Sequence, residues 1–273
     1  MAALDLIDGW PGGPRAAAVL AGGDVTDDRG DVWAPLRWAS VTKLATALAT
    51  LIAVDEGRLD LDAPVDPTGT TLRHLLAHAS RFVDGRPTRR VYSNPGYETI
   101  AGRVAAAVGQ PFSAWLEARV LEPLAMTETR LEGSPASGMV GPLADLVGLA
   151  GELQRPTLIS PPLAEAMRTV AFPGLPGLVP AVGLQPTNDW GLGPEIRDGK
   201  VPHWTGSANS PATFGHFGAD GGFVWVDPVA GVALTALTSV PFGPWALEAW
   251  PVLSDAVLAS RGPGVRVRVT PPS

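Results

Sequence analysis

The chain has no cysteine, so disulfides, thiol catalysis and thiolate metal sites are excluded. It has only two lysines and two tyrosines in 273 residues. Of its 20 basic residues the other 18 are arginines, outnumbered by 27 acidic ones for a net charge of −7. No basic stripe is present, which sets aside a phosphate-backbone partner. Nor is there a long hydrophobic run: the uncharged stretch Leu44 to Val54 is far too short to span a bilayer, so no membrane partner is expected. Residues 1–8 show no basic segment followed by an apolar one, and cytoplasmic residence is the expectation.

What the chain does have is a lysine where a charge is costly. Lys43 follows Ser40 by three residues and is the only charge between Arg37 and Asp55, in a run closed by Asp55-Glu56-Gly57. Such a run reads as a helix buried on most of its circumference and ended by glycine. Desolvation disfavours the ammonium form, so a buried lysine without a carboxylate tends toward the neutral amine, which is a base. Arginine would stay protonated there. An offset of three places the Ser40 hydroxyl and the Lys43 amine on one helical face, as nucleophile and base.

Further along, a strand is expected over residues 16–22, followed by an acidic turn at 23–30 that leads to an extended segment near Trp33. The aspartate spacing in that turn does not fit a calcium loop. Helices are expected over 72–79, 96–108 and 112–120, with two more between 143 and 170. The proline- and glycine-rich stretch 172–211 reads as a surface wrap. Residues 222–226 and 232–237 read as a hairpin through Asp227-Pro228, and 245–259 as a closing helix. Strands at both ends with helices between imply an α+β fold: an antiparallel sheet flanked by terminal helices, with an inserted, mostly helical lobe. The expected division of the single domain, 1–273, is an α/β lobe of about 1–60 and 212–273 and a helical lobe of about 61–211.

Two further elements stand in order after Ser40 and Lys43: Tyr92-Ser93-Asn94 before a helix, and His216-Phe217-Gly218 entering the C-terminal sheet. With these the sequence resembles the serine β-lactamase and penicillin-binding-protein superfamily, on the branch of class C β-lactamases, DD-peptidases and related esterases. Segments such as Leu72-Arg73-His74-Leu75-Leu76-Ala77-His78-Ala79-Ser80 and Glu122-Pro123-Leu124-Ala125-Met126 add to the likeness, which covers about residues 14–260.

The resemblance implies that Ser40 forms an acyl-enzyme and that Lys43 takes its proton, with Tyr92 as a proton shuttle; it leaves open whether Lys43 or Tyr92 is the resting base. It implies that Asn94 bridges Lys43 and a substrate carbonyl. The amides of Ser40 and Ala219 would form an oxyanion hole, each donor contributing about 3 kcal/mol in the transition state. His216, Phe217, Gly218 and Ala219 would line the substrate site, and no cofactor is called for. The family's usual Lys/His-Thr-Gly has become His216-Phe217-Gly218, so the hydroxyl that would meet a substrate carboxylate is missing. Asp220, if it faces the cleft, would repel such a carboxylate. These departures point to an esterase on small neutral acyl esters, a small-molecule ester or amide being the expected partner. The alternatives are a β-lactamase or D-aminoacyl peptidase, or a non-catalytic binding protein. A metal on His74 and His78 lacks a third ligand, and a serine-histidine-aspartate triad lacks a Gly-x-Ser-x-Gly turn.

Overall fold

In the computed structural model, which describes residues 2–83 and 85–260, Gly22 and Gly23 both take positive φ, 63° and 91°. They fold β1 (Arg15–Ala21) directly back on β2 (Asp24–Gly30). A two-residue turn of this kind needs residues that enter the left-handed region, and its twist matches that of the flanking strands. The acidic segment expected as a turn is therefore an edge strand. Asp24, Asp27 and Asp28 are exposed on it, and a charged edge resists pairing with another chain.

β1 pairs on its other side with β6 (Val232–Thr238), which pairs with β5 (Phe223–Asp227), then β4 (Phe214–Phe217) and β3 (Glu195–Ile196). The order is β3-β4-β5-β6-β1-β2, antiparallel throughout. Period-two alternation sorts β1 between two cores. Ala16, Ala18 and Leu20 face one with α1 (Thr42–Asp55), while Ala17 and Val19 face the other, where α7 (Pro244–Ser260) lies with Leu4 and Ile7. Both faces being covered, β1 reads as an uninterrupted apolar run.

Every residue of α1 from Thr42 to Ala53 is buried, because the helix lies between the sheet and the helical lobe. Its end is closed by Gly57 at φ 69°, with the amides of Gly57 and Arg58 on the carbonyls of Val54 and Ala53. The helical lobe contributes α2 (Leu72–Leu76), α3 (Asn94–Val108) and α4 (Phe112–Leu116), then α5 (Leu143–Gln154), which packs on the sheet, and α6 (Pro161–Arg168). Ser93 caps α3, its Oγ accepting the Gly96 amide at 3.0 Å. α2 is shorter than the expected 72–79, since His78 takes φ 55° and turns the chain out of the helix.

The stretch 172–211 is a surface wrap only in part: residues 172–187 are mostly exposed or half-buried, but the chain then turns inward. Residues 188–196 are buried, and Glu195–Ile196 extends the main sheet from within the segment assigned to the helical lobe. Its backbone groups are satisfied irregularly, Asn188 by Leu175 and Leu192 by Met167, so no helical or strand period marks it in the sequence.

Candidate active site

Ser40 stands at the entrance to α1, just after Ala39, whose φ of 44° is unusual for a residue with a side chain. The turn is held from the helical-lobe side. The Trp38 amide donates to the Met139 carbonyl at 2.9 Å, its indole to Gly141 at 3.1 Å, and the Met139 amide to Thr42 Oγ1 at 3.1 Å. The other side is the end of β4, where a Cβ on Gly218 would collide with the Trp38 carbonyl. Only glycine lets strand and serine turn approach this closely.

Lys43 Nζ lies 3.1 Å from Ser40 Oγ and 2.8 Å from the Ala136 carbonyl. It is 4.7 Å from the centre of the Tyr92 ring, and Tyr97 flanks it at 5.5 Å. Burial pulls the amine down to about 7, the charge of Glu98 opposing only in part. Burial pushes the Tyr92 phenol above its ordinary range, with a hydrogen bond to Ser40 opposing. The Tyr92 hydroxyl is 3.4 Å from His216 Nε2. His216 Nδ1 is 2.7 Å from the Phe217 carbonyl, to which only an N–H can donate, so Nε2 is left as an acceptor toward the phenol. Burial, reinforced by Lys43, brings His216 down to about 3, and the ring is neutral at working pH.

These groups open onto a cleft of about 310 Å³. Of the residues expected at the site, Ser40, Tyr92, Asn94, His216, Phe217 and Ala219 line it. Gly218 seats the strand end, and Lys43 lies beneath Ser40. Asn94 is exposed at the start of α3, and the partners of Lys43 Nζ are the Ser40 hydroxyl and the Ala136 carbonyl instead. The Phe217 ring packs on Phe242 at 4.7 Å, which also lines the cleft, and on Trp204 at 5.6 Å in the core.

Asp220 is not among the residues that line the cleft: it follows the lining residue Ala219 and pairs with Arg37 at 3.3 Å, which answers the charge expected to repel carboxylates. His74 and His78 do not converge. His74 meets Thr71 and stacks on Phe172, whereas His78 packs against Tyr92. Trp190 lines the cleft, while Trp204 and Trp225 are core residues.

Sequence reading missed Glu195, Phe242 and the turn Pro180-Ala181, all of which line the cleft. Glu195 was detectable through the second lysine. Lys200 lies 3.3 Å from its carboxylate, with His203 Nε2 at 3.3 Å and the Trp204 indole at 2.8 Å. Burial alone would raise this carboxyl, but Lys200, His203 and the Trp204 hydrogen bond together bring it down to about 2.

The chain is similar to a β-lactamase from Mycobacterium bovis, with 48% identity over 94% of this chain and 98% of that one and a TM-score of 0.91. It shares its fold with simvastatin synthase from Aspergillus terreus, at TM-score 0.78 and 15% identity over 96% and 97% of the two chains. The same holds for a penicillin-binding protein homologue from Pyrococcus abyssi, at TM-score 0.74 and 18% identity over 94% and 75%. No curated protein matched. The Beta-lactamase family model matches residues 33–257, from before the Ser40 turn to near the end of α7, and the chain belongs to that family.

Proposed function

We propose that the chain is a serine hydrolase that works through an acyl-enzyme, on small neutral acyl esters, and that it belongs with the class C, DD-peptidase and esterase branch. The observation that carries this reading is the contact of Ser40 Oγ with a sealed Lys43 whose amine titrates near neutrality. Ser40 attacks the carbonyl carbon, and its proton passes to Lys43 Nζ. Lys43 is the resting base in this scheme, because the Tyr92 phenol is pushed the other way and holds its proton. The amides of Ser40 and Ala219 receive the developing oxyanion. As the tetrahedral intermediate collapses, the C–O bond to the alcohol breaks and the leaving oxygen takes the Tyr92 proton, which Lys43 replaces. Water then attacks the ester by the same steps and releases the acid and Ser40.

The neutral substrate is supported by the cleft wall. Trp190, Phe242 and Pro180 present apolar surface, and among the described residues no arginine or lysine lines it to receive a carboxylate. A β-lactamase is the second reading, favoured by what the M. bovis relative is called. Among the described residues no helix is long and apolar enough to cross a membrane, and we place the enzyme in the cytoplasm, with no nucleic-acid, membrane or cofactor partner.

The test is the intact mass of the protein after brief exposure to p-nitrophenyl butyrate and, separately, to a fluorophosphonate. A single adduct absent from Ser40→Ala is expected. No adduct from either reagent would leave the non-catalytic reading. Faster turnover of nitrocefin than of the nitrophenyl ester would put β-lactamase first.

A further inference from the structure

His78 lies outside the cleft and takes no part in the steps above, yet it contacts Tyr92 and both of its chain neighbours. Its carbonyl accepts the amide of Val91 at 2.9 Å. Its ring Nδ1 accepts the amide of Ser93 at 3.2 Å. Its ring packs on the Tyr92 ring with centres 4.6 Å apart. One residue thus grips the backbone on both sides of Tyr92 and supports the side chain as well. To reach both amides His78 adopts φ 55°, a conformation that few residues other than glycine, asparagine, aspartate and histidine enter readily.

The proton inventory separates this role from a relay. Because Nδ1 accepts from an amide, the ring proton sits on Nε2. That atom is buried with no hydrogen-bond partner among the described residues, and the Trp190 ring stands perpendicular at 4.6 Å. Burial, Lys43, His216 and Arg90 all hold the imidazole well below its ordinary range, so the acceptor stays available. A protonated ring could not accept the Ser93 amide.

We propose that His78 is a positioning residue that fixes the Tyr92 phenol between Lys43, Ser40 and His216. This rests on the proposed hydrolase reading, in which Tyr92 handles protons. Lys43 Nζ lies over the face of that ring, and the phenol oxygen reaches His216 at a long 3.4 Å, so a small rotation of the ring would break the line of groups.

The test combines two variants and one spectrum. His78→Gly keeps the backbone conformation and the Val91 bond but removes ring and acceptor. His78→Asn also tolerates the conformation and restores an acceptor at the δ position. With ethyl butyrate, whose alkoxide must be protonated as it leaves, the glycine variant is expected to lose at least about tenfold in kcat with little change in KM, and the asparagine variant to stay within about threefold of the unaltered chain. Fluorophosphonate labelling of Ser40, which needs no leaving-group acid, should fall clearly less in the glycine variant. In a Tyr92→Phe background His78→Gly should change kcat on ethyl butyrate by less than about twofold. Equal rates for the glycine and asparagine variants, or losses that multiply in the Tyr92→Phe background, overturn the proposal. Histidine ¹⁵N spectra supply a readout that needs no variant to fold: His78 should show bare Nδ1 and protonated Nε2 from pH 5 to 8, and the opposite tautomer overturns the proposal. An unaltered chain that forms no Ser40 adduct overturns the hydrolase reading and this one with it. A normal Ser40 adduct in the unaltered chain together with undiminished ethyl butyrate turnover in the glycine variant overturns this one alone.

Discussion

Lys43 and Lys200 are both sealed from solvent, yet among the described residues only Lys200 has a carboxylate: Glu195 stands 3.3 Å from its Nζ, whereas Lys43 Nζ meets a hydroxyl and a carbonyl. The unpaired lysine is the one beside the nucleophile. Its amine titrates near about 7 in the fold against about 10.4 in an unfolded chain, so the unfolded state binds more protons between those values and stability rises with pH across that window. Below pH 7 the full penalty applies, about 5 kcal/mol on this shift.

Replacing Lys43 with methionine is therefore expected to raise the melting temperature while abolishing turnover, with a larger gain at pH 6 than at pH 9. Lys43→Arg, which cannot give up its proton, should lose about 10² to 10⁴ in kcat/KM. In the unaltered chain kcat/KM on a neutral ester should rise through an inflection near 7 as Lys43 deprotonates. Thermal melts at the two pH values and a pH-rate profile check both expectations. A methionine variant less stable at pH 6 would contradict the first.

The Lys200–Glu195 pair should behave in the opposite way. Its Glu195 carboxyl is depressed to about 2 from about 4.3 unfolded, so its contribution is fully present above the unfolded value and is lost as pH falls through the folded one. Lys200→Met leaves a buried carboxylate with less compensation, and a loss of roughly 3–5 kcal/mol is expected. Lys200→Met with Glu195→Gln should recover part of it. Urea unfolding at pH 7 measures both, and equal midpoints for the single and double variants would remove the pairing argument.

These two lysines show where the sequence was legible. Burial of Lys43 followed from an uninterrupted apolar helix, and the helix, the terminal strands β1, β5 and β6 and α7 all carry a period or turn signal that needs no partner to be read. Scarcity singled out Lys43 and Tyr92, which the fold brings together. Glu195 went unread because its burial depends on residues 188–196, whose backbone bonds run to distant carbonyls and leave no period. The edge strand Asp24–Gly30 reads as a turn because its composition favours solvent, and solvent does cover it; only its pairing with β1 was hidden. Asn94 and Asp220 were placed by likeness and by charge alone, which do not specify the direction in which a side chain points.

Tyr92→Phe separates acid catalysis from nucleophile activation. An alkyl ester has a poor leaving group that must be protonated as the bond breaks, whereas p-nitrophenolate leaves without help. The phenol is held protonated by burial and hydrogen-bonded at 3.4 Å to a neutral His216. Loss of the phenol should lower kcat on ethyl butyrate by about 10² or more and on p-nitrophenyl butyrate by clearly less. His216 should contribute no inflection near pH 6.5 in either profile, since it titrates near about 3. Equal losses on the two esters would assign Tyr92 to activating Ser40 rather than to the leaving group.

The Arg37–Asp220 pair, next to the cleft-lining Ala219, is the place to test acceptance of a carboxylate-bearing substrate. Arg37 is exposed and lies three residues before Ser40, but Asp220 occupies its guanidinium at 3.3 Å. Exposed pairs of this kind are weak, typically about 0.2–1 kcal/mol, so Asp220→Asn should leave stability unchanged while freeing a cation beside the cleft mouth. Nitrocefin turnover is expected to rise about twofold to fivefold, with KM carrying the change and the gain disappearing at high salt. Phe217→Thr restores the hydroxyl usual in the family but removes a ring packed on Phe242, Trp204 and Trp250, and is expected to lose about 3 kcal/mol of stability. The double variant combines both effects: at a temperature where it stays folded it should exceed Asp220→Asn on nitrocefin and fall below the unaltered chain on the neutral ester. If Asp220→Asn gives no gain, the rim arginine does not reach the substrate, and the preference for neutral esters lies in the apolar wall alone.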